Sequence, residues 1–180
     1  MSWPLASGIV AAVLLFWGIG AYNRLMQLRN AIGEAFAQLD KHLGERAEVC
    51  AALLPQLRPL LLSEQATFDT LDSAQVDAQA AASVARARPY AGDPVANLAV
   101  ANAVHAAALT RLMSLLEHQP ELRAQAGIDA MVDELKLIER QRAFSRQVFN
   151  QAVAQYNAAA QAFPTRMLAS MYGFSEARSL

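Results

Sequence analysis

Three histidines, one cysteine and a scatter of carboxylates are the side chains with the chemistry for catalysis or metal binding. His42, His105 and His118 are far apart, and no H-x-x-x-H, C-x-x-C or E-x-x-H spacing puts two ligands on one helical face. Nothing around Cys50 marks a nucleophile, so it reads as a packed thiol. Walker, G-x-S-x-G and G-x-G-x-x-G motifs are absent. These residues predict no catalytic, cofactor or metal site, no small-molecule substrate, and a protein that is not an enzyme.

The other unusual residues are neutral. In "FSRQVFNQAVAQYNAAAQAFP", Phe144 to Pro164, an amide recurs at Gln147, Asn150, Gln151, Gln155, Asn157 and Gln161. Asn150 and Asn157 are seven apart, two turns on one face of a helix. Buried amides are costly unless paired, and when paired they fix one register among similar packings. One reading is a polar seam facing the first helix, with Asn30, Gln38 and Asp40 as partners. The other is a solvent-exposed polar face. Charged pairs are equally open. Glu34, Asp40, Glu45 and Arg46, with Glu134, Glu139, Arg140 and Arg146, read either as solvated surface charge or as cross-helix pairs, Arg29–Glu139 or Arg146–Glu34.

The elements that carry these residues are helices. The 180-residue chain has a net charge of −1, which excludes a general nucleic-acid binder. It is 17% charged and 54% hydrophobic, which calls for membrane contact, an extensive helical interior, or both. No charged side chain occurs in residues 1–23, and "LASGIVAAVLLFWGIGAY" over residues 5–22 is about long enough to cross the hydrocarbon core. No basic residue precedes this run and no A-x-A site follows, so it reads as an uncleaved anchor contacting the lipid bilayer. Arg24, Arg29 and Lys41 follow the span. The positive-inside rule then places the N-terminus outside and the C-terminal part in the cytoplasm.

Four helices follow from the periodicity. The first continues from the anchor through Leu25, Leu28, Ile32, Ala35 and Leu39, and ends or kinks at Pro55 and Pro59. The second begins with Ser63 as N-cap and has Phe68, Leu71, Val76, Val84 and several Ala as its thin apolar face. The third is capped by Asp93 with Pro94 in its first position, and its stripe is Leu98, Ala101, His105, Ala108, Leu112 and Leu115. The fourth runs from about Ile128 to Phe163, where Pro164 stops it. Short connections favour an antiparallel up-and-down four-helix bundle over residues 24–164. The apolar tail, residues 165–180, either packs on that bundle or lies at the membrane interface.

The chain resembles the LemA family. "YNRLMQLRNAIGEAFAQLDKHL" directly after the span resembles the start of that family's domain, through Tyr22, Asn23, Leu25, Leu28, Arg29, Asn30, Glu34, Ala35, Gln38, Asp40, Leu43 and Arg46. "AFSRQVFNQAVAQYNAAAQAFPTRMLASMYGF" resembles its closing helix, through Ala143, Phe144, Arg146, Phe149, Asn150, Val153, Tyr156, Asn157, Phe163, Pro164, Gly173 and Phe174. The resemblance implies a bacterial membrane-anchored helical bundle in the cytoplasm, with no enzyme mechanism. The basic, His- and Pro-containing segment common in the family is replaced here by "GERAEVCAALLPQL", and Arg142 stands where an aliphatic residue is common. The expected role is a membrane-anchored adaptor or scaffold in the inner membrane, with an unknown protein partner or self-association. The alternative is a self-assembling structural protein that contacts lipid through its tail. The residues expected to carry interactions are Arg29, Asn30, Glu34, Gln38, Asp40, Arg46, Glu139, Arg146, Asn150 and Asn157.

Overall fold

The computed structural model describes residues 3–125 and 127–180, and all regular structure among them is helical. The elements are α1 (Trp3–Leu57), a short 3-10 turn (Leu62–Glu64), α2 (Gln65–Ala87), α3 (Gly92–Glu117), α4 (Pro120–Arg123), α5 (Ile128–Gln161) and α6 (Thr165–Met171). α1 is a single helix of 55 residues whose surroundings change partway along. Ile9, Val10, Val13, Leu14, Leu15, Phe16 and Ile19 are exposed, whereas Leu25, Ile32, Phe36, Leu39 and Leu43 are buried at helical spacing. α1 ends at Leu57, near the expected Pro55 and Pro59, with Pro55 tolerated in its last turns. α3 is also long and apolar enough to cross a membrane, but its Leu98, Leu109, Leu112 and Leu116 are buried inside the protein.

α1 packs most extensively on α5, and α2 on α3. Along the first pair, Gln56 meets Met131, Arg46 meets Glu139 and Phe36 meets Phe149, so numbers fall on α1 as they rise on α5. Phe36 and Phe149 meet edge to face at 5.9 Å, a favourable arrangement of ring quadrupoles. The core falls into two parts. One joins Leu25–Leu43 of α1 to Ala82, Ala85, Val95, Leu98 and the Phe149–Ala160 face. The other joins Val49–Leu61 to Phe68, Leu71, Leu109–Leu116 and Ile128–Ile138. The buried polar residues Arg46, Asn102 and His105 fall in sequence between the two parts on α1 and α3.

Several local expectations are corrected. Ser63 lies inside the 3-10 turn and does not cap α2; Glu64 holds the cap position, and its carboxylate accepts from Thr67 Oγ1 at 3.0 Å. Buried Leu61 ties down the chain before this turn, which delays the helix start. Asp93 does not cap α3, because the chain leaves extended Ala91 and is helical from Gly92; Pro94 sits within the first turn. On α2, Val76 and Val84 are exposed, and Ala74, Ala78, Ala82 and Ala85 take the inward positions. Residues 71, 74, 78, 82 and 85 share one face at steps of three and four, and the valines fall outside it. On α3, Asn102 takes the inward place, while Ala101 and Leu115 are half-buried and Val104 is exposed.

This face assignment has a direct check. Ala85→Leu overpacks a fully buried position and is expected to cost about 1–3 kcal/mol. Val84→Leu, one residue away but exposed, should stay within about 0.5 kcal/mol. Urea unfolding of the two variants against the parent distinguishes this arrangement from one with the valines inside.

Candidate functional site

At mid-height a guanidinium is buried among helices. Arg46 is 1% exposed on α1. Its Nη2 donates to Asn102 Oδ1 of α3 at 2.9 Å, and its Nη1 lies 3.6 Å from Glu139 Oε1 of α5. Glu139 is more tightly engaged by Arg142, at 2.7 Å, so one carboxylate serves two cations. Burial lowers the Arg46 pKa; the Glu139 charge opposes this and the Arg142 charge adds to it. His105 is wholly buried, and neither ring nitrogen has a hydrogen-bond partner. Burial first, and then the Arg46 charge, push His105 down to about 4, so it is neutral at physiological pH. Burial pushes the Cys50 thiol up to about 11. A protonated thiol and a neutral imidazole make no thiolate–imidazolium pair.

The expected site residues are divided between this layer and three other places. Arg29 does not meet Glu139; its guanidinium lies over the Tyr90 ring at 3.6 Å, a cation–π contact. Glu139 sits at the height of Arg46, about 25 Å along α1 from Arg29. The Arg146–Glu34 pair does not form either: both residues are exposed with no ion pair between them, and Arg146 lines a small cavity with Leu39, Asn102, Arg142 and Leu180. Asn30 and Gln38 are exposed on α1, and Asp40 binds Arg86 of α2 at 2.8 and 3.0 Å. These placements overturn the proposed seam between α5 amides and α1.

Asn150 and Asn157 hold the tail instead. Asn157 Nδ2 donates to the Ala177 carbonyl at 2.8 Å and its Oδ1 accepts from the Ala177 N–H at 2.9 Å. Asn150 does the same for Leu180, both contacts at 2.8 Å. Between them in sequence, Tyr156 donates to the Ser175 carbonyl at 3.0 Å. Residues 174–180 have no regular secondary structure, so side-chain amides replace the backbone partners that a helix or sheet supplies. The chain reaches this track through Gly173, whose φ of +70° allows the Phe174 N–H to bond back to Ala169 at 2.9 Å. The rest of the tail behaves differently. Met167, Met171 and Tyr172 are exposed beside the end of the apolar run, where Tyr172 and Phe174 meet the Tyr22 ring edge to face. The tail thus divides: residues 174–180 pack on the helices, and α6 presents apolar side chains outward.

Sequence reasoning placed His105 inside but missed Asn102 and Arg142 as members of the polar layer. The available signal was a polar side chain on the apolar 95, 98, 102, 105, 109 stripe. The nearest neighbours of the remaining histidines are local: His42 with Glu45 at 2.8 Å and His118 with the Ser114 carbonyl at 2.7 Å. Among the described residues, no three His, Cys, Asp or Glu side chains gather as a metal site would require. Comparison with known families gives a match to the LemA family over residues 35–180. No curated protein matches the chain.

The amide clamp and the buried imidazole each carry a prediction. Asn157→Leu removes two hydrogen bonds to one residue and should cost about 1–3 kcal/mol, with faster amide hydrogen exchange at Ala177 and Leu180. For His105 the folded pKa lies below the unfolded one. Stability is therefore full above about 6.5 and is lost as pH falls towards 4, by about 3 kcal/mol in all. Urea titrations across that window, compared with His105→Leu, should show this part of the acid slope vanish in the variant.

Proposed function

The chain belongs to the LemA family, and on that premise we propose that it is a non-enzymatic, membrane-anchored adaptor or scaffold. Its four long helices, α1, α2, α3 and α5, form an antiparallel up-and-down bundle held on the cytoplasmic side of a bacterial inner membrane. The observation that carries this reading is the continuity of α1 from an exposed apolar stretch into the core. A helix without a linker transmits position and orientation, so the domain stands at a set height above the bilayer. The surface offered to a partner is the outer side of α2 and α3. Val76, Val84, Val100 and Val104 are exposed there, and no charged residue occurs from Pro94 to Thr110. Such a face sheds few charges on association.

A second reading has its own support. Phe163, Met167, Met171 and Tyr172 are 62–81% exposed, and α6 lies against the end of the apolar run, with Leu168 3.8 Å from the Gly18 Cβ position. Side chains of this kind are stable at the lipid interface. In that arrangement α6 seats the domain on the bilayer and favours self-assembly in the membrane plane.

Topology is tested by single cysteines at positions 2 and 179 in a Cys50→Ser background. External labelling at 2 but not at 179 is expected, and labelling at 179 from outside sinks the cytoplasmic assignment. A photo-crosslinker at Val100 should capture a protein in cells, and Val100→Asp at the same position in a second chain should abolish function without changing the unfolding midpoint. Large homo-oligomers that disappear on Met167→Ser/Met171→Ser substitution favour the lipid-seated reading instead.

A further inference from the structure

A groove of about 400 Å³ opens between α1 and α5 where the two helices approach the apolar run. Ala21 and Leu28 of α1 and Ala158 and Ala162 of α5 form its apolar wall, and Arg24 and Thr165 stand among them. The volume falls within the roughly 300–1,000 Å³ of sites that take molecules of drug size.

The height of the groove says what meets it. Arg24 lies two residues past Tyr22, where the apolar run ends, or about 3 Å along the helix. The headgroup layer on each side of a bilayer is about 5–8 Å deep. With residues 5–22 across the hydrocarbon, Arg24 and the mouth of the groove stand in that layer. α6 keeps to the same height, with Leu168 against Gly18 and Tyr172 against Tyr22.

Charge selects the lipid. No Asp or Glu occurs in residues 1–33 or 140–175, which supply both walls of the groove and α6. Arg24 and Arg166, the neighbour of Thr165, are exposed, and among the described residues neither has an ion-pair partner. Arg29, further along α1, is engaged by the Tyr90 ring. Glu176 and Asp93, at the tail and at the start of α3, line a different cavity together with Arg88 and Arg178. Two positive charges therefore stand near the headgroup layer with no carboxylate to balance them. A zwitterionic phospholipid brings its own cation, whereas one of net negative charge supplies the missing charge and accepts from the guanidinium.

We propose, on the reading that the apolar run is a membrane anchor, that this groove binds one anionic phospholipid. Arg24 is the principal donor to its phosphate and the Thr165 hydroxyl a second, and the upper part of an acyl chain lies along the alanine wall. The bound lipid fixes α5 and α6 against α1 at the membrane surface.

The test uses the full chain with Trp3→Phe, so that Trp17 is the one tryptophan left. Trp17 is four residues before Ala21 and on the same face of α1, and it reports on lipid at the foot of the groove. The protein is placed in vesicles of phosphatidylcholine mixed with phosphatidylglycerol, with one or the other lipid carrying brominated acyl chains that quench tryptophan. Phosphatidylglycerol is expected to quench Trp17 as though enriched about fivefold over phosphatidylcholine, the preference that one arginine near an anionic surface confers. Arg24→Gln should abolish this preference. Ala158→Leu, which fills the groove from an exposed position and alters no charge, should reduce it. Arg146→Gln removes the same charge about 18 Å farther along α5 and should leave it unchanged. Equal quenching by the two lipids, in protein that resists carbonate extraction from the vesicles, overturns the proposal while the anchor stands. A preference left intact in both Arg24→Gln and Ala158→Leu does the same. Release of the protein by carbonate overturns the anchor itself, and the lipid groove with it.

Discussion

The contact between α1 and α5 is the constraint on which the remaining structure depends. Phe36 on Phe149 and Arg46 beside Glu139 set the height of one helix against the other. With those heights set, Arg29 cannot reach Glu139, and Asn150 and Asn157 have no amide partners on α1. Asn150 and Asn157 are then free for the returning tail. A helix pair that decides which side chains share a level also decides which polar groups must look elsewhere.

The polar layer is the place where this architecture departs from an ordinary apolar interior. Above and below it the core is mostly leucine, isoleucine, phenylalanine, valine and alanine. Within it, a buried guanidinium shares a carboxylate with a second arginine, and a buried imidazole is left without partners. Replacing such groups by apolar ones often stabilises a protein, so their presence adds little to stability as such. Their effect is on specificity of packing. In helices as rich in alanine as α2 and α3, neighbouring registers differ little in buried area, and the Arg46–Asn102 bond distinguishes one of them.

Membership of the LemA family assigns no reaction to these features. The matched region begins at residue 35, beyond the apolar run, and extends through the tail. The Asn-clamped segment is therefore part of the matched domain. By contrast α6, between the clamp and the end of α5, leaves its large apolar side chains outside. The two halves of the tail meet different needs: the clamped half completes the surface of the domain, and α6 lies close to the end of the apolar run.

Much of the helical content was legible from residue order alone. Pro55, Pro59, Pro89, Pro94, Pro120 and Pro164 mark breaks or their neighbourhoods, and three-four spacing identifies Leu25, Ile32, Leu39, Leu98 and Leu112 as core. These properties are local, since they depend on backbone geometry and on the period of one helix. The capping residues were misplaced because Ser63 and Asp93 satisfy the cap pattern, while the turns that precede α2 and α3 determine where each helix begins. Partner choice was not legible at all. The α5 amides fit either a seam on α1 or a face in water; in the fold Gln147, Gln151, Gln155 and Gln161 are exposed, while Asn150 and Asn157 bind the tail backbone, twenty or more residues away in sequence. The sequence by itself determined which faces are apolar and where helices must stop. Only the tertiary structure decided what stands opposite Arg46, Asn150 and Asn157, because that depends on the relative height of helices that no local pattern encodes.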